Sequence, residues 1–188
     1  MYRRLGKRVF DVLASSALIG CLLPLMLLIA AAIRLGDGGA ALFRQQRLGS
    51  GGRKFTLLKF RSMPVCTADL PSSQARGMRI TPVGRFIRRT NLDELPQLIN
   101  ILCGDMSVVG PRPALPSQME LTKARMSNGA IACRPGLTGL AQINSFDGMS
   151  DEQKALWDGR YAAHVTFAGD LRITFSTFQY LLKPPPVY

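Results

Sequence analysis

Two kinds of apolar pattern divide the chain. Near the N-terminus a mostly apolar run without charged residues extends from Val12 to Ile33, and beyond it apolar residues recur at the spacings of helices and strands. Periods near 3.6 predict amphipathic helices, whereas alternation predicts strands. We therefore predict an apolar N-terminal segment followed by one mixed α/β domain. A chain of 188 residues is long enough for one domain with its own core.

A short helix is predicted directly after two adjacent carboxylates, Asp93 and Glu94. Its apolar residues follow the i, i+3, i+4, i+7 spacing of one buried face: Leu95, Leu98, Ile99 and Leu102. Pro96 is tolerated only in a first turn, because its missing N–H has no helical partner there. We therefore predict that the helix begins near Asp93, with Asp93 as the N-cap, and ends at Gly104.

The remaining elements follow from local signals. A β-hairpin is predicted from Ala41–Gln46 to Lys54–Met63, with glycines in the turn between them. Further helices are predicted after Thr81-Pro82, over Leu115–Met126, and from the capping box of Ser150 and Gln153 to about Ala163.

Two later segments and one loop complete the pattern. Arg134-Pro135-Gly136 predicts a type II turn that leads into a strand-like run, Leu137–Asn144. A last helix has an apolar stripe that is typical of a core face, or of an in-plane helix beside a bilayer: Leu171, Phe175, Phe178 and Leu182. Residues 64–77 are predicted to form an exposed loop, either an inert loop or a substrate lid, and a proline-rich tail occupies 183–188.

Three interpretations of the N-terminal run remain open from the residues alone. About 20 apolar residues suffice to cross a bilayer, so the run could be a spanning helix. Cationic residues before the run, Arg3 among them, and small residues at its end also fit a cleaved signal peptide. Pro24 near the middle, and cationic residues on both flanks, favour a re-entrant segment whose two ends face the cytoplasm.

Composition narrows the chemistry. The formal net charge of +12 implies an anionic partner, such as nucleic acid, anionic lipid or a phosphorylated substrate. Four scattered cysteines without C-x-x-C spacing argue against a disulfide framework or a structural zinc site. His164 is the sole histidine, and no G-x-S-x-G or Walker sequence occurs. Catalysis therefore falls to carboxylates, with lysine and arginine as electrostatic support.

The carboxylate pair is the strongest candidate site. Asp93 and Glu94 at a helix N-terminus are favoured in their ionised forms, which suit a nucleophile and a ligand for a hard cation. Arg112 lies between two prolines that stiffen its backbone, so its guanidinium suits a phosphate. Ordinary helix capping and structural ion pairing are the alternatives for these residues.

The sequence resembles a known enzyme family along nearly its whole length, from Lys7 to about Leu182. The run LDELPQLINIL, followed by GDMSVVGPRP and RPGLTGLAQIN, resembles the initiating bacterial sugar transferases. These monotopic phosphoglycosyl transferases move a sugar phosphate from a nucleotide sugar onto polyprenyl phosphate. The resemblance implies that Asp93 is the nucleophile and that Glu94 binds Mg²⁺.

The resemblance also implies roles for six further residues. Three cations are expected to contact phosphate oxygens: Lys59, Arg88 and Arg112. Three residues are expected at the nucleotide: Arg134, Gln142 and Asp170, with helix capping as an equal alternative for Asp170. Arg61-Ser62-Met63 stands where the family often has Lys-Thr-Met, and contacts beyond Gln142 are not transferred because the usual Asn-Gly-Arg is absent.

Family topology favours the re-entrant interpretation. The family begins with Lys-Arg-x-x-Asp, matched by Lys7, Arg8 and Asp11, and enters one leaflet through a helix–break–helix; Leu23-Pro24 replaces its usual Ser-Pro. We therefore predict a membrane anchor over 1–36 and a small catalytic domain over 37–182, on the cytoplasmic face of the bacterial inner membrane. The expected partners are a UDP-sugar, polyprenyl phosphate and the bilayer, without nucleic acid, and a homodimer is compatible with the sequence.

Two other functional classes are weighed against this prediction. One is a non-enzymatic, membrane-anchored basic protein that binds nucleic acid or anionic lipid. Aromatic residues are few, and no interleaved basic and aromatic stacking motif occurs, which disfavours it. The other is a secreted protein that has lost its signal peptide.

Overall fold

The computed structural model describes residues 2–64, 80–144 and 149–181. The loop and tail predicted over 64–77 and 183–188 therefore lie almost entirely outside the described residues. A π-helical turn, Tyr2–Gly6, precedes the first of seven described α-helices, and four short strands lie among the helices. The helices are α1 (Lys7–Asp37), α2 (Pro82–Arg89), α3 (Gln97–Cys103), α4 (Met119–Ser127), α5 (Leu140–Asn144), α6 (Asp151–Ala163) and α7 (Phe167–Leu181).

The strands form two separate two-stranded sheets. They are β1 (Leu42–Leu48), β2 (Lys54–Phe60), β3 (Ser107–Val109) and β4 (Gly136–Thr138). The first two form the predicted antiparallel hairpin, in which Leu42 pairs with Phe60. The last two form a parallel pair in which Ser107 lies beside Gly136. The mixed α/β class is thus confirmed.

Helix α1 runs without interruption through Pro24, so the predicted helix break is absent from the described residues. Its 31 residues give a length of about 46 Å. Residues three or four positions apart are buried on one side, along both halves of the helix: Asp11, Ser15, Met26, Ile29 and Ile33. Domain contacts on both sides of Pro24 hold the helix together despite the missing backbone donor.

The outward side of α1 is apolar and exposed. Leu13, Leu18, Leu23, Leu27 and Leu28 all lie on the surface. By length and composition the helix could cross a membrane. In water such a surface would be unfavourable, so a partner must cover it.

Two apolar clusters join α1 to the domain. The first half of the helix packs on a core that is built mainly from α3, β2 and β3, with Leu98, Ile101 and Val109 at its centre. The second half contributes Met26, Ile29 and Ile33 to a cluster with Phe60 and Ile87. Both halves of the apolar helix therefore rest on the same small domain.

Polar contacts fasten the start of α1 to that domain. Arg8 donates to the carbonyl oxygens of Ile101 and Leu102, at 2.5 and 2.7 Å, and so satisfies the C-terminal end of α3. The buried Asp11 accepts from the Ser107 hydroxyl and the Val108 amide, at 2.8 and 2.9 Å. The basic start of the chain is therefore a structural anchor as well as a source of charge.

Several predicted elements need correction. The segment predicted as a strand over Leu137–Asn144 is divided between β4 and the short helix α5. Gly136 lacks the positive φ that a type II turn demands. It is a glycine for another reason: a Cβ there would lie 2.1 Å from the Gly110 nitrogen, because the two backbones meet directly. The α7 positions Leu171, Phe175 and Phe178 are exposed and therefore not core.

Candidate active site

A carboxylate and two cations form the centre of the candidate site. Glu94 Oε1 accepts from Lys59 Nζ at 2.9 Å and from an Arg112 terminal nitrogen at 2.8 Å. The Lys59 and Glu94 side chains are mostly buried, whereas the Arg112 side chain is 52% exposed. Three elements that are distant in sequence thus meet at one carboxylate, with the arginine open to solvent.

The carboxylate pair lies in a 3₁₀ turn, Leu92–Glu94, and not in the first turn of α3. Asn91 enters this turn in the left-handed conformation, with φ of 55°. Pro96 is the N-cap position of α3, which begins at Gln97. The prediction that Asp93 is the N-cap is therefore wrong, because the turn places the pair ahead of the helix.

The buried face of α3 also differs from the predicted one. Ile101 is fully buried, whereas the predicted core residue Ile99 is 39% exposed. The predicted end is confirmed, since Gly104 adopts a left-handed conformation with φ of 91°. The turn thus sets the position of the carboxylates, while packing in the core decides which face of α3 is buried.

The two adjacent carboxylates have pKa values displaced in opposite directions. Burial raises the pKa of Asp93, although the charges of Lys59, Arg88 and Arg112 oppose the shift. Burial acts on Glu94 too, but there the direct contacts with Arg112 and Lys59 dominate and hold the pKa well below its usual range. Environments that separate the pKa values of two neighbouring carboxyl groups are typical of sites that use the two groups for different tasks.

A third cation, Arg88, is fixed beside this pair. Thr81 caps α2 by accepting from the Gly84 amide at 2.9 Å, as predicted. A Cβ on Gly84 would lie 2.0 Å from the Ser62 carbonyl oxygen, so a glycine lets α2 approach β2 closely. One turn later, Arg88 Nε donates to the Ser62 hydroxyl at 2.7 Å. Ser62 thus supplies a hydroxyl where the family often has threonine.

The segment that carries Arg112 is held from behind by buried groups. Arg125 donates to the Arg112 carbonyl oxygen at 3.0 Å and forms an ion pair with Asp158 at 2.6 Å. The Tyr161 hydroxyl, which donates to Asp170, also lies 3.1 Å from the Val109 carbonyl oxygen, three residues before Arg112. Arg125, Asp158 and Tyr161 thus fix the backbone from which Arg112 reaches Glu94.

The three predicted nucleotide residues do not join the Glu94 cluster. Asp170 is fully buried and accepts from Lys7 at 2.6 Å and from Tyr161 at 2.8 Å. Its side chain does not cap α7, although it lies in the first turn. Arg134 is exposed and lines a different cavity, and the Gln142 amide donates to a backbone carbonyl at 3.1 Å. A nucleotide role for these residues stays a prediction.

The residues present fit a magnesium ion that is shared with a substrate. Mg²⁺ is usually bound through one or two carboxylates together with substrate phosphates. Both cations contact the same Glu94 oxygen, Oε1, so Oε2 faces no protein donor among the described residues. No cluster of three or more metal-ligating side chains occurs in the described parts of the chain. Glu94 is therefore suited to a metal that substrate helps to hold.

Sequence reasoning missed the supporting residues of this site. Arg125 lies in the predicted helix Leu115–Met126, for which no functional residue is predicted, yet it is 6% exposed and ion-paired. A buried arginine–aspartate pair between α4 and α6 has no local signal, because its partners are 33 residues apart.

Comparison with known proteins now identifies the family. The family model for bacterial sugar transferases matches residues 2–184. UDP-glucose:undecaprenyl-phosphate glucose-1-phosphate transferase of Caulobacter vibrioides is 43% identical over 195 residues, covering 98% of this chain and 72% of that protein. The chain belongs to the bacterial sugar transferase family, and it is an enzyme of the phosphoglycosyl transferase class.

Two further relatives show the range of lengths in the family. The Klebsiella pneumoniae protein of the same name is 39% identical over 180 residues, which are 91% of this chain but 39% of that protein. Exopolysaccharide production protein ExoY of Rhizobium meliloti is 36% identical over 190 residues, 92% of this chain and 84% of that protein. The chain thus spans about two fifths of the longer relative and most of the shorter one.

Proposed function

We propose that this enzyme transfers a sugar 1-phosphate from a UDP-sugar to polyprenyl phosphate, and releases UMP. The observation that carries the proposal is the Asp93–Glu94 pair, in which Asp93 is buried and Glu94 Oε1 accepts from both Lys59 and Arg112. Relatives named as UDP-glucose:undecaprenyl-phosphate glucose-1-phosphate transferases support the donor and acceptor classes. The step would be the first membrane step of a polysaccharide or glycoconjugate assembly.

The proposed reaction has two displacements at one phosphorus. In the first, an Asp93 carboxylate oxygen bonds to the β-phosphorus, the bond to the bridging oxygen breaks, and UMP leaves with that oxygen. In the second, an oxygen of polyprenyl phosphate bonds to the same phosphorus and the aspartyl oxygen leaves. The carboxylate is regenerated, and the product is a polyprenyl diphosphate sugar.

The surrounding cations would stabilise the charge that develops on phosphate oxygens. Arg112 is exposed enough to meet a substrate while it still contacts Glu94. Lys59 and Arg88 belong to two other elements, β2 and α2 respectively. Such preorganised charges are effective because they need no rearrangement during the reaction. A Mg²⁺ ion held by Glu94 would neutralise diphosphate charge.

We further propose that α1 enters the membrane from the cytoplasmic side and does not cross it. The support is that both of its halves pack on the same small domain, one half near Val109 and the other near Phe60 and Ile87. A helix that crossed the bilayer would carry one of these contacts to the far side. The inner-membrane location and a homodimer stay predictions alongside this topology.

The competing interpretation, a non-enzymatic basic protein that binds nucleic acid or anionic lipid, is not favoured by the family assignment. Part of the positive charge of the chain lies at the candidate active site, where three cations are close to the carboxylate pair.

A donor panel tests the proposal directly. Purified protein with Mg²⁺ and polyprenyl phosphate should release UMP from at least one UDP-sugar, and UDP-glucose and UDP-galactose are the first choices. Glu94→Gln should lower the rate, and raised Mg²⁺ should recover part of it, because a neutral amide binds a hard cation weakly. Absence of UMP from every donor, with active relatives as positive controls, would refute the proposal.

A further inference from the structure

A cavity among the described residues lies away from the carboxylate pair and is strongly basic. Its volume is about 590 Å³. Five cationic side chains line it against one acidic one, Asp105; the cations are Arg3, Lys7, Arg53, Lys54 and Arg134. The charge of Lys7 is balanced by Asp170 at 2.6 Å, so the four arginine and lysine side chains that remain give the cavity its character.

Three of those cations have no acidic partner within the described ranges. Arg53, Lys54 and Arg134 are exposed and form no ion pair there. Like charges gathered around a concave surface repel one another unless an anion lies between them. The cavity is therefore suited to a multiply charged anion such as a phosphate group, which arginine forks and lysine can hold together.

This cavity is separate from the candidate active site. Lys54 lines the cavity and Lys59 contacts Glu94, and these positions lie about 17 Å apart along β2. The two sites also lie at opposite ends of α3, because Glu94 precedes this helix and Gly104 follows it at the cavity. One phosphate cannot contact both ends of these elements.

The position of the cavity indicates where the phosphate comes from. Arg3 and Lys7 belong to the first turns of the chain, at the start of the apolar helix. Apolar side chains are exposed on both sides of that point, with Leu5, Val9 and Leu13 exposed by 67%, 57% and 66%. A basic pocket at the end of an apolar membrane segment matches the level of lipid headgroups.

We propose that this cavity binds the phosphate headgroup of an anionic phospholipid and so fixes the N-terminal end of α1 at the membrane surface. The proposal rests on the membrane location of α1 and is independent of the proposed chemistry at Asp93. It assigns Arg53, Lys54 and Arg134 a common ligand. Donors from the hairpin turn and the start of β2, and from the segment before β4, line the cavity that would hold that ligand.

Lipid binding by the full chain in a neutral detergent tests the proposal. Native mass spectrometry would count phosphatidylglycerol and phosphatidylcholine retained by the wild type and by Arg53→Gln/Lys54→Gln. The matched control is Lys123→Gln/Lys154→Gln, which removes the same charge from i,i+3 pairs outside the cavity. Because each cation near a membrane surface contributes about a fivefold effect, we expect about 25-fold weaker phosphatidylglycerol binding in the cavity variant.

The wild type and the control should both prefer phosphatidylglycerol to phosphatidylcholine. Equal affinity for the two lipids, or equal losses in the cavity and control variants, would overturn the proposal. A parallel titration with UMP separates a soluble phosphate from a lipid source. If UMP binding depends on Arg53 and Lys54 while phosphatidylglycerol binding does not, the cavity is a nucleotide site and the lipid proposal is wrong. None of these readouts requires turnover.

Discussion

Variants of the buried ion pair between Arg125 and Asp158 can separate its effect on protein stability from its effect on the position of Arg112. Asp158→Ala would leave the Arg125 guanidinium buried without its carboxylate, and arginine cannot lose its proton to relieve the cost. Breaking a buried pair in this way costs about 3–5 kcal/mol. For a chain of this size that corresponds to a fall in Tm of about 6–20 °C. Replacing Arg160, which only stacks on Trp157 at the surface, should cost no more than about 1 kcal/mol.

A double replacement then isolates the positioning role. Arg125→Met/Asp158→Leu removes both charges and fills the space with apolar atoms, so most of the lost stability should return. The Arg112 carbonyl oxygen would still lack the donor that holds it at 3.0 Å. Because small displacements of a catalytic group are costly, we expect kcat/KM to stay about ten- to a hundredfold below wild type.

Thermal unfolding in detergent and steady-state UMP release would measure the two effects in the same preparations. If the double variant regains both its Tm and a kcat/KM within a factor of two of wild type, Arg125 has no positioning role. If the double variant is as unstable as Asp158→Ala, the cost arises from lost packing, and the electrostatic reasoning fails.

Three further predictions concern the site and the anchor. Arg112→Lys should lower kcat/KM by an amount equivalent to about 2–4 kcal/mol, since a point charge cannot reproduce the guanidinium fork, and activity within a factor of two of wild type would contradict this. Lys59→Met should move the acid limb of the pH–rate profile to higher pH. Burial raises the pKa of Asp93 and the charge of Lys59 opposes that shift, so without Lys59 more Asp93 is protonated and inactive at a given pH. Lys59→Arg keeps the charge and should leave the acid limb in place. Single cysteines at Arg3 and Asp37, in a background without the four native cysteines, should both resist an impermeant thiol reagent in intact cells, whereas labelling of one alone would establish a spanning helix.

Local signals in the sequence predicted the elements that depend on local chemistry. Thr81 caps α2, and the capping box of Ser150 with Gln153 begins α6, as predicted. Positive φ angles at Gly51 and Gly52 make the hairpin turn, and Gly104 ends α3. In each case a few neighbouring residues determine the backbone conformation, so the sequence is sufficient.

The failures occurred where distant segments decide the structure. Gly136 was interpreted as a turn residue, but its small size serves the close approach of β4 to Gly110. Pro24 was expected to interrupt α1, yet packing on the domain keeps the helix continuous. The contact of Glu94 with Lys59 and Arg112 joins residues 35 and 18 positions away, so no local signal in the sequence specifies it.

Asp93 is the centre of the account, and a half-reaction tests its role most directly. UDP-sugar labelled in the sugar would be added with Mg²⁺ but without polyprenyl phosphate. If Asp93 is the nucleophile, the wild type releases stoichiometric UMP and retains the label as an acyl phosphate, and polyprenyl phosphate then removes that label. Asp93→Asn should show neither signal, whereas Glu94→Gln should regain the trapped label at raised Mg²⁺. Label that persists on Asp93→Asn, or UMP that appears only when polyprenyl phosphate is present, would contradict a covalent intermediate on this residue.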